Sequence, residues 1–234
     1  MITLQSELDR LYNPFAPDRI GTPGAATGLI APDGRVRALM LALARPADWA
    51  LMSVLWSGVQ TDLELPAPAI AVSGIDAYQL WFSLAEPVSL AQATAFLESL
   101  RLRYLEQIEP GRLAIQPCGD AANPGSVQHA VLPPTLHRDT NRWSAFVAPD
   151  LAAIFSEEPW LDLTPNPDAQ AKVLSRLESI TPAGFQAAMA LLGSGNGVTT
   201  AGQTPKGFLL GVMNDTTVEL HLRIDAAKAL LPYI

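Results

Sequence analysis

Cysteine is nearly absent from this chain of 234 residues, and long hydrophobic runs are absent altogether. The one cysteine, Cys118, has no partner for an internal disulfide, which is typical of a protein in a reducing compartment. We therefore expect a cytoplasmic location. Apolar stretches such as 38–44 and 67–72 are much shorter than the ~20 residues that cross a bilayer, so no membrane span is predicted.

Charged residues are also few, at 16% of the chain, and they are biased towards acid, with a net charge of −8. A hydrophobic content of 49% argues against disorder. Lysine and arginine are missing from residues 46–100, whereas a general nucleic-acid binder is rich in cations. A surface that only keeps the protein soluble is one reading of this charge. If any face binds an anion, its basic residues come later in the chain: Arg101, Arg103, Arg112, Arg138 and Arg142, with His129 and His137 near them.

The pattern of apolar residues predicts strands and helices in alternation. The first 34 residues are rich in proline and glycine and predict an extended lead-in, with a turn at Asp33-Gly34 before a buried strand over 36–44. Helical spacing follows over 49–60, and a Ser89 cap opens a second helix that reaches about residue 104. The remaining strands are predicted at 69–73, 77–84, 112–116, 128–132 and 142–147.

The C-terminal part is predicted to hold helices at 169–180 and 182–192, then a hairpin over 207–223 and a short last helix. We expect an α+β fold with a mixed, largely antiparallel sheet, helices packed on it, and this C-terminal helical pair and hairpin. Residues 1–162 form the predicted core with its extended lead-in. Residues 163–234 either complete the same domain or form a separate one.

Motifs for common chemistries are incomplete. The glycine-rich segment 193–197 follows a helix and lacks the Gly-Lys-Ser/Thr of a P-loop, so a linker is favoured. Three histidines and one cysteine cannot build a closed zinc site unaided. We therefore predict neither a metal site nor a cofactor.

The middle of the chain nevertheless resembles a known family. Residues 71–74 end in Ser73-Gly74, a short strand reads Gln79-Leu80-Trp81-Phe82, and Pro87-Val88 leads into a helix. This run is similar to the second motif region of archaeo-eukaryotic primase–polymerases, in particular the primase-like domains of mobile-element proteins. The downstream order of segments 116–120, 130–133 and 142–147 is also similar, and the resemblance covers roughly residues 28–162. It implies a primase core of the RNA-recognition-motif type, with Asp120 in the place of the third-motif acid.

The departures from that family concern its catalytic residues. The resemblance puts Ala42 and Ala44 where the family carries the two metal-binding aspartates, and Gln79 where it carries a phosphate-contacting histidine. Transfer through two metal ions needs carboxylates, which alanine cannot supply. The resemblance therefore implies a catalytically inactive protein that retains a binding or architectural role in replication or a mobile element. It also predicts that Ala42, Ala44, Gln79 and Asp120 meet on one concave face of the sheet.

The predicted partners are a nucleic acid or nucleotide, or another protein, and no membrane. The alternative is an unrelated α+β fold that serves as a protein-interaction module or as an enzyme of undetected type. Under the primase-like reading, the candidate residues for binding an anion or nucleic acid are Ser73, Gly74, Arg101, Arg103, His137, Arg138 and Arg142.

Overall fold

The computed structural model describes residues 3–13, 29–31, 33–119 and 129–195. Residues 1–192 form one compact unit and residues 193–234 a second. The predicted hairpin over 207–223, the last helix and Asp120 lie outside the described residues. Among the described helices, none is long and apolar enough to cross a membrane.

The first unit combines an antiparallel sheet with helices. The strands are β1 (Arg35–Ala44), β2 (Ala69–Val72), β3 (Ala77–Ser89), β4 (Leu113–Gln116), β5 (Leu136–His137), β6 (Arg142–Trp143) and β7 (Ala145–Val147). The helices are α1 (Leu4–Tyr12), α2 (Trp49–Thr61), α3 (Leu90–Tyr104), α4 (Pro167–Leu174) and α5 (Pro182–Gly195). Five strands form the main sheet in the order β4-β1-β3-β2-β7, and β5 and β6 form a separate two-stranded ribbon. This architecture confirms the predicted α+β class.

Side-chain caps explain where the helices begin. The carboxylate of Asp48 accepts the amide of Leu51 at the start of α2. Ser89 caps α3 as predicted, and with Gln92 it forms a reciprocal capping box. Each cap satisfies backbone amides that a helix leaves unpaired in its first turn.

Several local predictions are wrong. Residues 4–12 form α1 instead of extended chain, because Thr3 caps the helix and its apolar side packs against the sheet. Residues 129–132 are irregular, and the Pro133-Pro134 pair that follows lacks the amides a strand needs. The helix predicted over 169–180 ends at Leu174. The segment predicted as one strand over 142–147 is divided at Ser144, where it changes partner from the ribbon to the main sheet.

Alternating side chains of β1 separate two cores. Leu39, Leu41 and Leu43 are buried on one face with residues of α2, α3 and α5. Ala38, Met40 and Ala42 point to the other face, whose core also contains residues of α1 and α4. Gln170 of α4 covers the sheet edge, because its side-chain amide exchanges two hydrogen bonds with the backbone of Phe146 in β7. The helices α1 and α4 cover only part of this second face, and a cavity occupies the rest.

Candidate functional site: a cavity on the second sheet face

The cavity has a volume of about 390 Å³ and lies over strands β1, β3 and β4. Its floor follows the register of the sheet: Ala42 pairs with Gln79 on one side and with Ala114 on the other. Ala44 lies two residues further along β1 and also lines the cavity. Small side chains at these positions leave the floor of the sheet open. Ala42, Ala44 and Gln79 therefore line one cavity, while their predicted companion Asp120 lies outside the described residues.

The Ser73-Gly74 turn forms one wall of this cavity. The hydroxyl of Ser73 accepts the backbone amides of Ile75, Asp76 and Ala77 at 2.9–3.1 Å, which holds the turn closed. Gly74 has a φ of +81°, a conformation that side chains disfavour. The amide of Gly74 donates to the carbonyl of Pro159 at 3.0 Å, so the turn is tied to the chain beyond β7.

The ribbon packs directly against this turn through His137. Its Nε2 donates to the carbonyl oxygen of Ser73 at 2.8 Å, so the imidazole is held at the cavity wall. A Cβ at position 74 would lie 2.6 Å from Cδ2 of His137 and 2.7 Å from the backbone nitrogen of Ser144. Only glycine permits this contact. The sequence-based candidates Ser73, Gly74 and His137 are thus in direct contact with one another.

Two arginines bring positive charge to the cavity: Arg112, already named among the basic residues of a possible anion-binding face, and Arg45, which was not a candidate. Arg112 donates to the backbone carbonyls of Ala44 and Pro46 at 3.2 and 2.9 Å. Arg45 donates to the carbonyl of Gly111 at 3.0 Å, so the two arginines cross-link the end of β1 to the segment before β4. In the sequence, Arg112 and His129 were notable only as basic residues. No motif marked Arg45 as a site residue, and its position directly after β1 was the one feature that could have done so.

The charge of the cavity opposes the charge of the chain. Among the described lining residues are two guanidiniums, Arg45 and Arg112, and two imidazoles, His129 and His137. Asp76 is the one carboxylate among them, and it lies 3.9 Å from Arg45 in an exposed ion pair. Two guanidiniums against one carboxylate leave an excess of positive charge in a concave site, and such an excess attracts anions. In a chain of net charge −8, this cavity is a place where an anion can bind.

The donor set does not fit the pair of catalytic metal ions that primase–polymerases use. Ala42 and Ala44 offer no oxygen at the two positions where the resemblance requires carboxylates. In the described part of the chain, no group of three or more histidine, cysteine, aspartate or glutamate side chains could hold a metal ion.

The remaining candidate residues lie away from the floor of the cavity. Arg101 and Arg103 belong to α3, which packs on the opposite face of the sheet, and they pair with Glu98 at 2.6 Å and with Asp62 at 3.9 Å. Arg142 stacks its guanidinium 3.6 Å from the centre of the Trp160 ring. Arg138 is exposed near the tip of the ribbon, one residue after His137. The structure therefore separates the two arginines of α3 from those of the ribbon.

Fold and site together define an α+β protein with a small cationic cavity on one face of an antiparallel sheet. No protein-family model and no curated protein sequence matches the chain.

Proposed function

We propose that this chain is a primase–polymerase-like protein that has lost nucleotidyl transfer and binds a phosphate-bearing ligand, a nucleotide or a nucleic-acid strand, in the cavity described above. The observation that carries the proposal is that Ala42, Ala44 and Gln79 line the same cavity as the Ser73-Gly74 turn. These are the positions that the resemblance assigns to the metal-binding acids, the phosphate-contacting histidine and the motif-two turn. The setting that the resemblance implies is replication or a mobile element.

The floor of the cavity supports the proposed loss of catalysis. The alanine methyl groups at 42 and 44 carry no oxygen that could coordinate the two metal ions this transfer needs. Gln79 could donate a hydrogen bond to a phosphate, but an amide carries no charge. The site can therefore bind a phosphate group without activating it.

The charges at the rim support the proposed retention of binding. Arg45 and Arg112 are anchored by backbone carbonyls, so less side-chain entropy is lost when they meet an anion. Residues 46–100 contain no lysine or arginine, so this pair supplies positive charge that α2, β2 and β3 lack.

Two assays test the proposal. A primer-extension and de novo synthesis assay with Mg²⁺ or Mn²⁺ should detect no template-dependent product. Fluorescence anisotropy with a short labelled single-stranded DNA should detect binding that weakens as salt rises, because binding releases counter-ions. The double variant Arg45→Gln, Arg112→Gln should flatten the slope of log affinity against log salt by about 0.7 for each phosphate that the variant no longer neutralises.

A matched control uses arginines on the other face of the sheet. The double variant Arg101→Gln, Arg103→Gln removes the same charge from α3 and should leave the slope within error of the wild-type value. The double variant Arg138→Ala, Arg142→Ala then tests whether a longer strand continues along the ribbon. Robust template-dependent synthesis contradicts the loss of catalysis, and absence of DNA and nucleotide binding at low salt contradicts the binding role.

A second candidate function is a protein-interaction module. Val54 of α2 and Leu151 and Ile154 of the 3-10 helix Pro149–Phe155 are 54%, 49% and 69% exposed, and these two helices contact each other. Exposed apolar side chains that cluster are typical of a docking surface. Light scattering behind size-exclusion chromatography should then show an oligomer that Ile154→Lys dissociates. A monomer at all concentrations contradicts self-association as the function of this surface.

A further inference from the structure

A second cavity lies near the other edge of the main sheet, where β2 begins and β7 ends. Ile70 of β2 pairs with Val147 of β7, and both residues line the cavity together with Trp56 of α2 and one side of α4. Its volume is about 440 Å³, and it shares no lining residue with the cationic cavity described above. The two cavities are therefore separate.

Most of the wall of the second cavity is apolar. The indole N–H of Trp56 donates to the carbonyl of Pro68 at 3.1 Å, so the one polar group of this ring is already satisfied. Val173 and Leu177 add aliphatic side chains from α4 and the turn after it. Apolar cavities of ~300–1,000 Å³ with a few polar groups are typical of small-molecule sites. The lining therefore favours a ligand with a hydrocarbon body.

Two cations belong to the same lining. Lys172 and Arg176 are four residues apart, and both are exposed, so a ligand can reach them. Within the described residues, neither side chain forms an ion pair within 4.0 Å. Asp150 is the one carboxylate among the described lining residues, and it forms no such pair either. The wall therefore carries an excess of positive charge beside its apolar surface.

From this arrangement we infer that the second cavity binds a small amphipathic carboxylate, a medium-chain fatty acid, with its hydrocarbon chain on the apolar wall and its carboxylate at Lys172 and Arg176. An ammonium and a guanidinium both form charge-assisted hydrogen bonds with a carboxylate. The lining extends along α4 and the next turn from Ala169 to Leu177, which is about 11 Å or roughly two helical turns, and this length suits an elongated chain. The inference goes beyond the proposed function, because it concerns other residues and a different ligand chemistry.

The first experiment measures the affinity of the full chain for hexanoate, octanoate and decanoate by isothermal titration calorimetry at constant ionic strength. Affinity should rise by about fourfold for each added methylene, because each one is buried on the apolar wall. The uncharged 1-octanol should bind about fivefold more weakly than octanoate, since exposed charge pairs contribute modestly. Octylammonium, which has the same chain and the opposite charge, should bind more weakly than 1-octanol.

A charge variant links the preference for a carboxylate to the two cations. The double variant Lys172→Gln, Arg176→Gln should lower the affinity for octanoate to that for 1-octanol and leave the affinity for 1-octanol unchanged. Both side chains are exposed, so the substitutions should not disturb folding. The matched control is Arg101→Gln, Arg103→Gln, which removes the same charge from α3 and should leave both affinities unchanged.

Each part of the inference can fail separately. Equal affinities for hexanoate and decanoate overturn the role of the apolar wall. An unchanged affinity for octanoate in the double variant overturns the assignment of its carboxylate to Lys172 and Arg176. Tighter binding of octylammonium than of octanoate identifies Asp150 as the polar partner and overturns the carboxylate. Absence of binding by all the probes overturns the whole inference and leaves the proposed function, which rests on the other cavity, unaffected.

Discussion

Alanine at position 74 should destabilise the protein and deform the cavity, because Gly74 combines a left-handed backbone with a close contact. Its φ is +81°, and an added Cβ would lie 2.7 Å from the backbone nitrogen of Ser144 and 2.9 Å from the carbonyl carbon of Trp143. Side chains can rotate away from a clash, but these two atoms belong to the backbone. The ribbon that carries His137 would therefore have to move.

The magnitude follows from two contributions. A left-handed conformation costs a non-glycine residue about 1–2 kcal/mol. Overpacking of a well-packed site costs typically ~1–3 kcal/mol more. Together they lower the free energy of unfolding by about 2–5 kcal/mol, a large fraction of the ~5–15 kcal/mol that a domain usually has.

Gly34 provides a matched control within the same chain. Its φ is +78°, and a Cβ there would meet no atom within 4 Å. Gly34→Ala should therefore cost only the conformational ~1–2 kcal/mol. Urea unfolding of both variants, followed by tryptophan fluorescence, measures the difference. Equal losses at the two positions would refute the claim that the contact with the ribbon requires glycine. Nucleotide affinity should fall in Gly74→Ala and stay unchanged in Gly34→Ala.

Two further predictions concern the edge of the sheet and a tyrosine on the opposite face. Gln170→Ala should lower the free energy of unfolding by about 2–4 kcal/mol, because the buried amide and carbonyl of Phe146 both lose their partner. Gln186→Ala, at an exposed position, is the control and should stay within about 0.5 kcal/mol of wild type. Urea unfolding measures both variants. Burial, followed by the hydrogen bond to Asp62, raises the pKa of Tyr104 to about 12. Since the unfolded pKa is near 10, the stabilisation linked to Tyr104 is complete below pH 10 and is lost as pH rises towards 12. Asp62→Asn should lower that pKa in an ultraviolet tyrosinate titration, and no change would contradict the contribution of the hydrogen bond.

Local patterns were sufficient to predict much of the sheet and its covering helices. The Asp33-Gly34 turn, the helix after Asp48 and the helix capped by Ser89 depend on contacts within a few residues, and each is present. The helix α1 was missed because the proline and glycine that follow it dominate the composition of the first 34 residues. Its apolar side is stabilised by Trp81 and Phe146, which are far away in sequence.

In the candidate site too, local features were predicted and features that depend on distant residues were missed. Ser73, Gly74 and Gln79 were singled out from a short motif, because a turn and the strand after it are local features. Arg45 and Gln116 were not, since an arginine after a strand and a glutamine at the end of one carry no distinctive pattern. Arg101 and Arg103 were grouped with the arginines of the ribbon by charge alone, and the sheet separates them.

Patterns along the chain were enough to predict the class of fold, the positions of most strands and the lack of acids at the two alanines of β1. These properties follow from hydrophobic periodicity, capping residues and side-chain chemistry, all of which act over short distances along the chain. The folded chain was needed to learn that Ala42, Gln79 and Gln116 share one face and that Arg45 and Arg112 both lie at its rim. Strand register and long-range packing set those neighbours, because the hydrogen bonds of the sheet join residues that lie far apart along the chain.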